Sequence, residues 1–355
     1  MFELHTDTNQ LTTQSGGADL RTVLNTTVLL LITSLLCAVV LSGCTKTETP
    51  SYSGPSAKVI IGVAKGESAA LLFGAERLGY FKQLGLEVTF KVFDSGVAAV
   101  AAMHEKQVDL AAPAEFVIAA NVDEHPGLRI IASINKIDSI MLIARKDRGI
   151  ATPADLKGKR IAVTLNSIAE YFLGKYLSAQ RLTQKDVTMV NMPPSMMAKE
   201  LAAGNVDAVI VWNPFAQTLE ESLGNVAVSW PVQGESRWHL VLVTREDVIA
   251  KNPEAMVRLL RTLVMAETAV ASDPASAQKD LATRFNLPEK YFAGVWEQNR
   301  FRVTLDRSLL LGLEEQSRWI SKSRGNKSQV EPNYLNFLYL DALKAVRPES
   351  VTIIN

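Results

Sequence analysis

"VIIGVAKGESAALLFGAERLGYF", residues 59–81, and "RIAVTLNSIAEYFLGKYLSAQ", residues 160–180, have the same order of elements. Each starts with an apolar run typical of a β-strand, passes through a short polar loop and continues into a helical segment. Strands that alternate with helices of about 10–15 residues indicate βαβ units and a parallel sheet. The two stretches therefore predict an α/β fold.

The repetition continues beyond both stretches. A strand, a short break and a second helix follow in each case, and each series ends on a Val-Asp pair, Val108-Asp109 and Val206-Asp207. Because six elements agree in order and approximate length, the sequence predicts two lobes of one design. After Thr244 the sequence becomes mainly helical, and we expect those helices to pack on the first lobe.

The N-terminal region contains an apolar run of 14 residues, 28–41. A membrane-spanning helix needs about 20 apolar residues, so the run fits a signal-peptide core better. It ends on Leu41-Ser42-Gly43-Cys44, which resembles the bacterial lipobox, whose cysteine is lipidated and becomes the first mature residue. Residues 1–43 are therefore interpreted as a lipoprotein signal peptide, Cys44 as the lipidation (palmitate) site and residues 44–56 as a flexible tether. A plain membrane anchor with an incidental cysteine is the alternative.

The composition is that of an ordinary globular protein, with 47% hydrophobic and 21% charged residues in a chain of 355. Lysine plus arginine and aspartate plus glutamate both number 37, so charge gives no reason to expect nucleic-acid binding. The two cysteines, Cys37 and Cys44, precede the globular region. That region therefore has no disulfide, no cysteine-based metal site and no cysteine nucleophile.

Common catalytic motifs are absent from the sequence. It contains no G-x-S-x-G, H-E-x-x-H, Walker-type G-K-[ST] or G-x-G-x-x-G, and its four histidines lack metal-ligand spacing. We therefore expect a binding protein without catalytic residues, cofactor or metal.

Ligands of open α/β sheets bind outside the carboxyl ends of the strands, where helix N-termini also point. That rule selects polar residues in the loops after strands of both lobes. The predicted ligand-binding residues are Glu67, Ser68, Ser95, Gly96, Glu115, Thr164, Ser167, Trp212 and Asn213.

Structural roles compete with binding at several of these positions. Ser167 is a helix N-cap candidate with Glu170 as its capping-box partner, and Ser95 with Gly96 could form an ordinary turn. Glu115 could be an exposed helix start, and Trp212 a core residue. His239 is interpreted as a hydrogen-bonded strand histidine.

The stretch 58–331 resembles the solute-binding proteins of ABC importers for nitrate, sulfonates and taurine, a group that shares its fold with thiamine-pyrimidine synthases. The matching residues include Arg77-Leu78-Gly79-Tyr80-Phe81, Gly85-Leu86-Glu87-Val88, Phe93-Asp94-Ser95-Gly96, Asp155-Leu156-Lys157-Gly158-Lys159, Ala169-Glu170-Tyr171-Phe172-Leu173, and Val206-Asp207-Ala208 leading to Trp212-Asn213-Pro214-Phe215.

The resemblance implies a type II periplasmic-binding-protein fold. Lobe I would comprise 57–143 plus 241–330 and lobe II 144–240, with crossover strands near Ala144 and Val241, and 331–355 would form a C-terminal helix and tail. It also implies a monomer that closes on a small solute and passes it to importer permease subunits.

The class of ligand stays open at this point. Many relatives have an acidic residue where this chain has Asn213, so no particular ligand transfers. Helix N-termini at Ser68 and Ser167 suit an anion such as a sulfonate or nitrate, whereas Glu67 and Glu115 suit a cationic or hydrogen-bond-donating heterocycle. A pyrimidine-synthase-like enzyme and a ligand-sensing receptor are the alternative functions.

Overall fold

Two separate β-sheets divide the chain into two lobes. The structure, a computed structural model, describes residues 52–325 and 331–353. Its strands are β1 (Ala57–Ala64), β2 (Leu86–Phe93), β3 (Leu110–Ala111), β4 (Leu128–Ile137), β5 (Ile140–Arg145), β6 (Arg160–Val163), β7 (Thr188–Asn191), β8 (Ala208–Trp212), β9 (Ala227–Pro231), β10 (Trp238–Arg245) and β11 (Asn299–Thr304). Among these residues, one sheet has the order β11-β4-β10-β3-β1-β2 and the other β7-β6-β8-β5-β9.

Helices cover the faces of both sheets. They are α1 (Ala70–Arg77), α2 (Tyr80–Gln83), α3 (Gly96–His104), α4 (Glu115–Ala119), α5 (Ile168–Ala179), α6 (Pro194–Ala203), α7 (Phe215–Leu223), α8 (Glu246–Lys251), α9 (Pro253–Ser272), α10 (Pro274–Phe285), α11 (Glu289–Val295), α12 (Arg307–Ser323) and α13 (Asp341–Val346). A 3₁₀ turn, Glu67–Ala69, precedes α1, and another, Trp296–Gln298, precedes β11.

The two Val-Asp pairs make equivalent hydrogen bonds to strand β1 in lobe I and to strand β6 in lobe II. In lobe I the Asp109 carboxylate accepts the Ile60 N–H at 2.8 Å, and the Asp109 N–H donates to the Ile60 carbonyl at 2.8 Å. In lobe II Asp207 makes the same two bonds to Arg160, at 2.9 and 2.8 Å. The predicted α/β architecture of two similar lobes is confirmed.

The chain crosses between the sheets at residues 138–139 and again at 232–237. Both crossings lie a few residues before the positions predicted, near Ala144 and Val241. Ala144 lies inside lobe II because β5 pairs with β8 on one side and β9 on the other. Val241 lies inside lobe I because β10 pairs with β4.

Gln233 joins the two crossings through its side-chain amide. Its Oε1 accepts the N–H groups of Ser139 and Ile140 at 2.8 and 2.7 Å. Its Nε2 donates to the carbonyls of Ile137 and Ser236 at 3.1 and 3.0 Å. One buried side chain thus satisfies backbone groups of both connecting segments.

The segments that follow β10 complete lobe I. Helix α9 packs against α1 and α13, and α12 packs against α4. The end of the predicted tether also belongs to this lobe, because the Arg258 guanidinium lies 4.0 Å above the ring of Tyr52. No helix in the described part of the chain is apolar and long enough to span a bilayer. The predicted signal peptide and Cys44 lie outside the described residues.

Candidate functional site

A cavity of about 40 Å³ lies between the two lobes, at the carboxyl ends of β1 and β8. One water molecule occupies roughly 10–15 Å³ by this measure, so the cavity has room for about three. A larger solute could enter only if the lobes moved apart. Six of the nine predicted residues line the cavity: Glu67, Ser68, Gly96, Ser167, Trp212 and Asn213.

Glu67 supplies a buried carboxylate. It starts the 3₁₀ turn after β1, and the Tyr291 hydroxyl donates to its Oε2 at 2.7 Å. Burial raises the pKa of Glu67, and the hydrogen bond from Tyr291 offsets this in part. The carboxyl group has acceptor sites beyond the one that Tyr291 occupies.

Two helices begin at the cavity, one from each lobe. The Ser95 hydroxyl caps α3 by accepting the Ala98 N–H, and the Ser167 hydroxyl caps α5 by accepting the Ala169 N–H, both at 3.2 Å. The first N–H groups of a helix have no partner within it, so they are available to a ligand. Gly96 is required by close packing, since a Cβ there would lie 2.7 Å from the Cα of Pro113.

Trp212 and Asn213 form the wall contributed by the end of β8. Trp212 is largely buried, at 9% exposure, which is compatible with both roles considered for it. The Asn213 amide donates to Gln298 of lobe I at 2.9 Å. Asn213 therefore joins the lobes beside the cavity.

Of the lining residues that were not among the nine predicted, Ser139 and Trp238 have a polar group in the side chain. Ser139 lies on the first crossing, and Trp238 is the first residue after the second. The indole N–H of Trp238 is buried and has no hydrogen-bond partner in the part of the chain that the structure describes. A tryptophan directly after a crossing between the lobes could have identified Trp238 as a cavity residue. The sequence placed that crossing near Val241, beyond Trp238.

Ser95 and Thr164 lie beside the cavity and not in its lining. Ser95 is the cap of α3, and the Thr164 hydroxyl donates to the Met192 carbonyl at 2.9 Å. Glu170 does not complete the expected capping box, because its carboxylate accepts the N–H of Asn166 in place of that of Ser167.

Glu115 is directed away from this cavity. Its carboxylate accepts the His239 N–H and the Gln316 amide, each at 2.8 Å. Burial raises the pKa of Glu115 to about 7, an effect that these two hydrogen bonds reduce. Its predicted role in ligand binding remains a prediction, while its visible role is to connect β10 to α12.

His239 is the hydrogen-bonded strand histidine that the sequence indicated. Its ring nitrogens lie 2.9 Å from the Ser133 hydroxyl and 3.1 Å from the Ser308 hydroxyl. Burial lowers its pKa to about 4, so the ring is neutral at physiological pH.

Several contacts hold the lobes together around the cavity. Glu315 on α12 accepts hydrogen bonds from Tyr171 and Lys175 of α5, both at 2.8 Å. The Ser195 hydroxyl of lobe II donates to Asp94 of lobe I. An aromatic cluster adds to them, in which the ring of Tyr171 from lobe II packs against Phe116 and Trp319 of lobe I at centroid distances of 5.7 and 5.5 Å.

The geometry of two lobes around one cavity can now be compared with known proteins. A sequence profile of the family described as NMT1/THI5 like matches residues 67–277. The chain belongs to this family. The resemblance noted from the sequence is thereby confirmed.

A curated relative is the taurine-binding periplasmic protein of Escherichia coli K12. It is 26% identical over 200 residues, or 55% of this chain and 61% of that protein. For the relatives matched, the chain spans between 51% and 66% of their own length.

Among solved structures, the alkanesulfonate-binding protein SsuA from Xanthomonas axonopodis pv. citri, bound to MOPS, superposes with a TM-score of 0.71. The two chains are 18% identical, over 81% of this chain and all of that one. The desulfurization enzyme DszB gives 0.60 at 17% identity, over 82% of this chain and 99% of that one. These likenesses concern the fold alone and confirm the predicted type II periplasmic-binding-protein fold.

Within residues 52–325 and 331–353, no group of three or more histidine, cysteine, aspartate or glutamate side chains could hold a metal ion. The polar residues of the cavity lining are Glu67, Ser68, Ser139, Ser167 and Asn213, and the other lining residues are glycine and apolar or aromatic residues. This set of groups can bind and orient a small polar molecule.

Proposed function

We propose that the protein is an extracytoplasmic, lipid-anchored solute-binding protein. It captures a small solute by closure of its two lobes and delivers it to an ABC importer. The observation that carries this proposal is the placement of polar groups from both lobes around one cavity. Family membership and the taurine-binding relative support the same function.

Closure follows from the size of the cavity and from the way the two lobes are connected. With about 40 Å³ available, a sulfonate or a pyrimidine needs the lobes to part before it can bind. Only two segments connect the lobes, within the described residues, and hinge motion about such segments is a standard way of closing around ligands.

A thermal-shift screen of the protein without its lipid anchor tests the binding function. The compounds are sulfonates including taurine, nitrate, bicarbonate, pyrimidines and simple amines. A ligand present at 100 times its Kd stabilises the folded state by about 2.7 kcal/mol, which raises Tm by about 4 °C. Trp212→Ala should lose most of the shift, whereas Gln180→Ala, at an exposed position outside the cavity, should keep it. If no compound shifts Tm, the proposed function is contradicted for these classes.

The proposed lipid anchor at Cys44 can be tested separately from ligand binding. Cys44→Ala should release the protein from the membrane fraction or leave an uncleaved precursor, because acylation at this position can no longer occur. Fractionation followed by immunoblotting measures both outcomes, with Ser42→Ala as the control that keeps a small residue before the cysteine. Membrane retention of Cys44→Ala at the mature size would contradict lipidation.

A further inference from the structure

Helix α5 of lobe II lies against helix α12 of lobe I outside the cavity. The residues that form this α5–α12 contact are Tyr171, Gly174 and Lys175 on α5 and Glu315 and Trp319 on α12. None of the five lines the cavity. Ser167, which caps α5, does line it, so Tyr171 stands one helical turn from the cavity. The contact is therefore adjacent to the site and separate from the groups that a solute would touch.

Aromatic packing is the stronger part of the α5–α12 contact. The ring of Tyr171 is buried, and its edge meets the ring of Trp319. Aromatic pairs in this geometry contribute beyond the area that they bury. The ion pair between Lys175 and Glu315 leaves 51% and 54% of the two side chains exposed, and exposed ion pairs contribute little. The position of Trp319 on α5 is thus what decides the strength of the contact.

Gly174 provides the space that Trp319 fills. It lies in the interior of α5, where glycine is less favourable than alanine because it gives the unfolded chain more conformational freedom. A Cβ at this position would lie 2.3 Å from Cζ2 of Trp319, which is closer than two such atoms can approach. The missing side chain is therefore matched to a residue of the other lobe.

We propose that the α5–α12 contact stabilises the closed arrangement of the lobes from outside the cavity. Within the described residues only the two crossings connect the lobes, so parting of the lobes separates Trp319 from α5. The contact then sets the fraction of the protein that is closed before a solute arrives. The apparent affinity for a solute that binds the closed state changes in proportion to that fraction. This inference rests on the proposed closure of the lobes, and its test needs no solute.

Gly174→Ala tests the contact, because it moves Trp319 and leaves the cavity lining unchanged. Spin labels on cysteines introduced at Val92 of lobe I and Lys199 of lobe II, both exposed, report the distance across the mouth by double electron–electron resonance. The protein without its lipid anchor, starting at Thr45, contains no other cysteine. Without added solute, the parent should show a closed population. Gly174→Ala should lower the ratio of closed to open molecules by about 10-fold, as expected for the loss of an aromatic contact.

Two further variants assign the effect to Trp319. Gly294→Ala adds the same methyl group inside α11, where no described atom lies within 4 Å of it, and should leave the distances unchanged. Trp319→Leu should lower the ratio about as much as Gly174→Ala does. In the Trp319→Leu background Gly174→Ala should change the ratio less than about twofold, because it acts through the indole ring. Urea unfolding checks that each variant is folded, and alanine at position 174 favours the helix.

Four results would overturn the inference. They are a parent that is entirely open without solute, a Gly174→Ala variant with the distances of the parent, equal opening by Gly294→Ala, and full additivity of Gly174→Ala with Trp319→Leu. In the second case the two helices would keep their contact as the lobes move. None of these results contradicts solute binding, which the thermal-shift screen decides separately.

Discussion

Glu115→Gln should raise the free energy of unfolding by about 2–3 kcal/mol at pH 8 and leave it nearly unchanged at pH 4.5. The pKa of Glu115 is raised from 4.5 to about 7 in the folded protein because the carboxyl group is buried. The folded state therefore binds more protons than the unfolded state between these two values. Stability due to this group is complete below about pH 4.5 and is lost as the pH rises through about 7.

Glutamine fits the position because it resembles the protonated carboxyl group. Its Oε1 can accept the His239 N–H, and its amide can donate to Gln316, whose Oε1 is buried and has no partner among the described residues. That donation requires the Gln316 amide to turn over, which exchanges atoms of nearly equal size. The same turn serves a protonated Glu115, so the variant and the parent have matching hydrogen bonds at low pH.

Urea unfolding of both proteins at pH 4.5, 6 and 8 measures the effect. The difference between variant and parent removes the contribution of His239, whose lowered pKa changes stability in the opposite direction over part of this range. Glu254→Gln serves as the control for a carboxylate at an exposed position. A Glu115→Gln difference that is the same at all three pH values would show that burial does not shift the pKa of Glu115.

Gln233→Ala should destabilise the protein by about 3 kcal/mol and weaken ligand binding at the same time. The substitution removes four hydrogen bonds and leaves two buried N–H groups, those of Ser139 and Ile140, without an acceptor. Each unsatisfied buried group costs about 1–3 kcal/mol. Binding weakens because Ser139 lines the cavity and its backbone position depends on this amide.

Unfolding in urea and calorimetry with the ligand found by the screen give the two quantities. Gln180→Ala is the matched control at an exposed position. Gln233→Glu tests the mechanism, because its carboxylate accepts the same N–H groups but cannot donate to Ile137 and Ser236 unless it is protonated. We expect Gln233→Glu to be closer to the parent at pH 5 than at pH 8. If Gln233→Ala is as stable as the parent, Gln233 does not stabilise the segments that connect the lobes.

Local patterns were sufficient to predict two α/β lobes, while the type II periplasmic-binding-protein fold was implied by the family resemblance. The repeated βα units depend on alternating apolar runs and helix starts, which are visible within about 20 residues. The Val-Asp pairs were recognised as a repeat, although their hydrogen bonds to Ile60 and Arg160 became clear only in the structure. The crossings lie a few residues before the predicted positions because β5 and β10 are both mainly apolar, and only strand pairing shows to which sheet each belongs.

The sequence could predict which residues line the cavity where a position at the end of a strand is enough to place a residue there. Residues at strand ends, such as Glu67 and Trp212, line the cavity because the carboxyl ends of the strands meet there. The direction of a side chain depends on partners that are distant in sequence. Glu115 is turned towards Gln316, which lies 201 residues further along the chain, and no local pattern contains that information.

The strand order of lobe I has a consequence for how the chain folds as it is synthesised. Strand β4 has β10 and β11 as its neighbours in the sheet, and both are encoded after the whole of lobe II. Lobe II, by contrast, is continuous from β5 to β9 and can complete its sheet as soon as β9 has emerged. The backbone N–H and C=O groups on both edges of β4 stay unpaired until the last third of the chain arrives. A truncation after lobe II removes two of the six strands of the first sheet and leaves β4 without either neighbour, which exposes it to aggregation and makes the C-terminal strands an obligatory part of the fold.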